Sequence, residues 1–278
     1  MPGAVVGDLL MYLEGVPYLA EVKVRDIRVG LGYTGVELST GHIGVCQTLL
    51  DEGTCCQRID KAGELSGRPA LQIARLARSW KLAEAVVGVA TINAMSQIIF
   101  EKKRGDYLIV ENANFIDQIK INKNDTVALV GYIRPFISII RNRTKNLYIL
   151  ERKQVTQEQE IFPDVACEEI VPKADVVIIT GTAIANGTID RLLELSKGAR
   201  ELGLVGPTAS MIPEPFFKRG VTIMGGIRVA KPRKMLRIIA EGGGVPQFKD
   251  ACREVVIKPK IPIHATFHAF KSKIKVSD

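Results

Sequence analysis

Five short apolar runs in the second half of the chain, at 126–130, 147–150, 176–179, 202–205 and 221–224, each end on residues able to do chemistry. The endings are Gly131-Tyr132-Ile133-Arg134-Pro135, Glu151, Thr180-Gly181-Thr182, Gly206-Pro207-Thr208 and Gly225-Gly226-Ile227-Arg228. Gly131 precedes an apolar helix, so free backbone N–H groups there can hold an anion. Glu151 ends the next run, the place where an acid grips ribose hydroxyls in dinucleotide-binding folds, or serves as an acid/base. Thr182 and Asn186, with Thr180 and the helix start at Thr188, form a cradle for an anion or polar ligand; Thr208 adds a similar loop, and Arg228 a fixed cation. Each residue also has a plainer role: Glu151 can pair with Arg152 or Lys153, Asn186 or Thr188 can cap the helix at 189–197, the Thr208 loop can be turn chemistry, and Arg228 can be a surface charge.

Other motifs weaken particular chemistries. The turn at Gly131 carries no GxGxxG, and the chain has no P-loop, nucleophile elbow or diagnostic carboxylate pair. His42 and Cys46 would share one face of a strand, but further ligands at ordinary zinc spacing are missing, and adjacent Cys55 and Cys56 are awkward for one ion. Asn93 lies inside the apolar stretch 86–95, where its amide either finds core partners or faces a cleft together with Thr34 and Glu37.

The elements that must carry these residues fall into two patterns. Alternating apolar and polar positions over 22–50, then helical spacing from Pro69 and again over 83–100, predict an α+β domain at 1–118. The runs from 126 onward, separated by helix-length segments, predict a Rossmann-like parallel sheet at 119–257, so the fold class is α/β. Its last helix starts at Pro232 and stops before Gly242-Gly243-Gly244. A basic extension, 258–278, carries His264 and His268 without clear periodicity.

Composition narrows the classes further. Apolar residues make up 46% and charged residues 24% of 278, which excludes disordered, collagen-like and disulfide-scaffold chains. The net charge of +8 arises entirely after residue 124, where 24 basic residues meet 16 acidic ones, and the stretch 218–237 holds seven bases and no acid. Such a half attracts an anionic partner. Aromatics at 6% and the lack of a helix-turn-helix count against nucleic acid. The apolar N-terminus carries Asp8 and Glu14 and no basic leader, and the apolar runs are short for a membrane span, so a cytoplasmic protein is expected. Five cysteines without a CxxC fit reduced thiols.

The segments 88–94, 130–131, 147–151, 174–182, 206–208, 225–229 and 241–243 together resemble the putative heavy-metal chelation family, domain of unknown function 364 with its N-terminal partner, domain of unknown function 4213. The resemblance implies an N-terminal domain like that of enolase, a Rossmann-like second domain, and a site between them. The leading expectation is therefore a small anionic molecule or metal chelate bound in an interdomain cleft lined by Asn93, Gly131, Glu151, Thr182, Asn186, Thr208 and Arg228. A heavy metal or its chelate is the cofactor this implies. A transferase or lyase using a nucleotide or S-adenosylmethionine is the alternative, nucleic-acid binding ranks third, and a homo-oligomer is left open.

Overall fold

A computed structural model describes residues 3–49, 58–102, 107–152 and 161–260. Cys55, Cys56, His264, His268 and most of the basic tail lie outside the described residues. The chain opens with helix α1 (Ala4–Glu14), followed by an antiparallel sheet of β1 (Val24–Val29), β2 (Tyr33–Leu38) and β3 (Ile43–Gln47) in that order. Helices α2 (Ala70–Ala74) and α3 (Leu82–Lys102) come next. The second pattern runs β4 (Leu108–Glu111), α4 (Phe115–Gln118), β5 (Thr126–Val130), α5 (Arg134–Arg143), β6 (Asn146–Glu151), β7 (Ile161–Pro163) and α6 (Cys167–Ile170). It continues through β8 (Val176–Thr180), α7 (Thr182–Ala185), α8 (Ile189–Leu195), β9 (Glu201–Val205), α9 (Glu214–Phe217), β10 (Ile223–Val229), α10 (Pro232–Ala240), α11 (Val245–Phe248) and β11 (Cys252–Lys258).

The large sheet has the order β4-β11-β10-β9-β8-β5-β6-β7. Its six strands from β10 to β7 are mutually parallel, while β11 runs antiparallel to both β10 and β4. Counted along the chain from β5, the parallel strands stand 3-2-1-4-5-6, the doubly wound order of dinucleotide-binding domains. The strand order therefore reverses between β5 and β8. Alternation along each strand supplies both faces: Val127, Leu129, Val176 and Ile178 pack under α4 and α5, while Ala128, Val177, Ile179 and Leu204 pack toward α1, α3 and α8.

Three features depart from the expectation. Helix α1 was not anticipated; Val5, Val6, Leu9, Leu10 and Leu13 bury one face of it, and Asp190 at the start of α8 accepts the Val5 N–H at 3.0 Å, capping one helix from another. Strand β10 runs on to Val229 because β11 pairs with it from Met224 to Val229, so Gly225 and Gly226 sit inside the strand rather than beyond it. Their missing Cβ atoms make room for Phe115 on one face and Ser210 on the other. Finally, α3 is long and apolar enough to cross a membrane, yet 83% of its most apolar window is buried inside the protein, where it serves as the central core helix.

Strand β3 lies directly on α3. A Cβ on Gly44 would come within 2.1 Å of the Ala90 carbonyl oxygen and 2.2 Å of the Ala94 nitrogen, both backbone atoms that cannot turn aside. Gly44→Ala is expected to destabilise by about 3 kcal/mol or more through this overpacking. Gly7→Ala, in α1 with nothing within 4 Å of its Cβ position, should instead stabilise by ~0.5–1 kcal/mol. Urea unfolding of the two variants beside the parent checks both signs.

Candidate functional site

The reversal point between β5 and β8 is where open α/β sheets leave a crevice for ligands, and three of the expected residues meet there. Gly131 follows β5 with φ of 98°, a left-handed value that favours glycine. A Cβ at this position would lie 2.8 Å from Thr180 Cγ2, so the turn presses against the end of β8. Glu151, at the end of β6, accepts the Tyr132 N–H through Oε2 at 2.8 Å and the Arg152 N–H through Oε1 at 2.8 Å. Its carboxylate thus holds the backbone just before α5. Thr182 donates its hydroxyl to Thr180 Oγ1 at 3.1 Å, placing two hydroxyls and Gly181 beside the same turn. Arg134, exposed in the first turn of α5, adds a positive charge.

Asn186 lies at the far end of α7, where its Oδ1 accepts both the N–H of Thr188 at 3.1 Å and its hydroxyl at 2.8 Å. It closes the turn around Gly187, whose φ is 80°. Asn93 and Thr208 meet each other instead, in a buried seam between the small sheet and the loop after β9. The Asn93 Nδ2 group donates to the carbonyls of Val45 at 2.7 Å and Thr208 at 2.9 Å, and the Gln47 N–H donates to Thr208 Oγ1 at 3.0 Å. Both residues are almost wholly buried. One helical turn further along α3, Gln97 repeats the device by donating to the Ser210 carbonyl at 2.9 Å. Sequence reading missed Gln97, although a second amide four residues after Asn93 on an apolar helix was a usable signal.

Arg228 stands on β10, three strands from β5 and so about 14 Å away at the usual strand spacing. It donates to Glu111 Oε1 at 2.8 Å, while Arg253 holds Glu111 Oε2 at 3.1 Å. The hydrogen bond from Arg253 and the charge of Arg228 hold the Glu111 carboxyl below the usual range. The expected constellation therefore resolves into four places: the β5/β8 reversal, the Asn186 turn after α7, the Asn93 seam and the Arg228–Glu111 edge.

The metal-ligand candidates stay apart. His42 bonds Thr40 Oγ1 at 2.9 Å and Glu101 Oε2 at 3.0 Å. Cys46 is completely buried, and burial pushes its thiol up to about 12, far from the thiolate a soft metal requires. Among the described residues, no three His, Cys, Asp or Glu side chains gather where a metal ion could be held.

Two family models match almost end to end, one over residues 14–96 and the other over residues 114–258, both described as "Putative heavy-metal chelation". The chain belongs to the domain of unknown function 364 family. Among its relatives, an uncharacterized protein of Methanocaldococcus jannaschii is 27% identical over 245 residues, covering 86% of this chain and 91% of that protein. A DUF364 protein of unknown function from Desulfitobacterium hafniense has a similar crystal structure, with a TM-score of 0.76 at 26% identity over 91% of this chain and 98% of that one. One from Pyrococcus horikoshii shares the fold, with a TM-score of 0.77 at 24% identity over 91% and 99%. DUF364 membership thus accounts for a small antiparallel sheet joined to a mostly parallel one.

Replacing Asn93 with alanine leaves the buried carbonyls of Val45 and Thr208 without their donor, and is expected to cost about 2–4 kcal/mol in chemical unfolding. Glu111 adds a pH signature. A carboxyl held low in the folded state contributes stability above the ordinary carboxylate range, and loses it as pH falls through the folded value. Melting temperatures taken between pH 7 and pH 3 should fall less steeply for Glu111→Gln than for the parent.

Proposed function

We propose that this DUF364 protein binds a small anionic molecule or a metal chelate at the carboxyl ends of β5, β6 and β8. The observation that carries the reading is the Gly131 turn, pressed on Thr180 at the strand-order reversal and clamped through Tyr132 N–H by Glu151. Gly131, Glu151 and Thr182 border the ligand in this reading. Asn93 and Thr208 fix the wall behind it, Asn186 shapes the far end of α7, and Arg228, with the basic stretch around it, contributes long-range attraction for an anion.

Because the described side chains do not assemble a donor set, a heavy metal is cargo in this proposal, carried by its own organic ligand and recognised through that ligand's carboxylates. The buried, high-pKa Cys46 supports recognition of the chelate over capture of the bare ion. We assign the protein to the cytoplasm, in keeping with cysteines that show no disulfide spacing.

A second reading has its own support. The 3-2-1-4-5-6 order with an acid at the end of the second strand is the arrangement in which a ribose is gripped, so a nucleotide or S-adenosylmethionine would seat its diol on Glu151 and its anionic group near α5. In that case the protein is a transferase or lyase, with Glu151 as the ligand-orienting acid.

Thermal unfolding with cobalt(II) citrate, cobalt(II) alone, S-adenosylmethionine and NAD separates the readings. A probe present at 100 times its Kd adds about 2.7 kcal/mol of stability. The chelate alone should raise the melting temperature, and Thr182→Val and Glu151→Gln should each abolish the rise. A shift with S-adenosylmethionine or NAD favours the second reading. A shift with free cobalt that survives both substitutions removes the first.

A further inference from the structure

We propose that the exposed edge of β1 is a self-pairing surface, joining a second copy of this chain in antiparallel fashion about a two-fold axis at Ile27. β1 is the outermost strand of the small sheet. Its start is already covered, since Val24 N–H donates to the Arg68 carbonyl at 2.9 Å and Gly67 N–H returns to the Val24 carbonyl at 2.8 Å. The rest, residues 25–29, has no neighbouring strand among the described residues. Gly30 N–H bonds the Tyr33 carbonyl at 2.9 Å and fixes the phase of the β1–β2 ladder, in which residues opposite one another alternate between bonded and unbonded pairs. Arg28 and Asp26 therefore spend their backbone groups on Gly35 and Glu37, while Ile27 and Val29 turn theirs outward.

That geometry leaves one symmetric register. The free stretch is centred on Ile27, whose outward N–H and C=O can exchange two hydrogen bonds with Ile27 of the second copy. Asp26 then faces Arg28 of the second copy, and Arg28 faces its Asp26. The four charges lie on one face, where Asp26 and Arg28 already pair within the strand at 2.9 Å. A two-fold centred on Asp26 or Arg28 would set like charge against like, and would also present backbone groups already bonded to β2. The same charges that discourage pairing with unrelated strands thus favour this one. Exposed Val29 and the neighbouring exposed Leu31 give each end of the joint apolar surface to cover.

Sedimentation of the full chain across a concentration series tests this directly. The parent should show a monomer–dimer equilibrium weakened by salt. Asp26→Arg, and separately Arg28→Asp, should raise the dimer Kd by about tenfold, because both symmetric pairs become repulsive. The double exchange Asp26→Arg/Arg28→Asp should restore it. Circular dichroism and melting temperature confirm that each variant folds, which an exposed Arg28 and a half-exposed Asp26 permit. A parent that stays monomeric at the highest concentration overturns the proposal. So does a dimer indifferent to the single substitutions, or one that the double exchange fails to rescue.

Discussion

Two hydrogen bonds from one buried amide hold the layout of this protein. Asn93 sits in the middle of the most buried helix and gives both protons of its side chain to main-chain carbonyls, one on the small sheet and one on a loop of the large sheet. A carbonyl buried without a donor costs on the order of a hydrogen bond's full desolvation, so neither unit can shift without exposing that cost. The bonds are short enough to form only because Gly44 lets β3 rest on the α3 backbone. With Gln97 repeating the tie to Ser210, the single connection from β9 to α9 is fixed to the N-terminal unit at two points, and the apolar core runs continuously through both units.

This anchoring bears on how selectivity can arise. The end of β9 is tied to the small sheet, and Gly181, at the end of β8, is packed against Thr208 and Ala209 of that loop. The ends of β5 and β6 carry a turn whose shape is set by a glycine in a left-handed conformation and a carboxylate bonded to two backbone N–H groups. A carboxylate so engaged is oriented before any ligand arrives, which lowers the entropic cost of ordering the site. The polar surroundings differ across the sheet: arginines at Glu111 on one side, and hydroxyls at Thr180 and Thr182 nearer the reversal.

Much of the frame was legible in the residues. Strands β5, β6, β8 and β9 announce themselves as fully apolar runs, because a parallel strand covered on both faces has no polar alternation to confuse the reading. The long core helix and the helix that starts at Pro232 were equally plain. The gaps have physical causes. The edge strand β4 (Leu108–Glu111) is short and half-exposed, and β11 begins with Cys252-Arg253-Glu254, so neither resembles a buried parallel strand. The site residues were read individually from strand ends, but their grouping depends on strand order, which no local pattern encodes. Thus Glu151 and Gly131, consecutive ends of neighbouring strands, come together, whereas Arg228 ends up three strands away. Asn93 was legible as a buried amide, yet its partners lie 48 and 115 positions away.

The insertion of β11 between β10 and β4 has a temporal meaning. The ribosome releases β4 early, but its neighbour in the sheet is the last strand of the described chain, about as remote in sequence as the fold allows. Until residues 252–258 emerge, Leu108–Glu111 has no pairing partner and the edge of β10 stands open. At elongation speeds of roughly 5–20 residues per second, β4 waits on the order of 10–30 seconds for that partner. Completion of the sheet therefore waits on the last strand of the described chain, which acts as the clasp that joins the beginning of the second unit to its end.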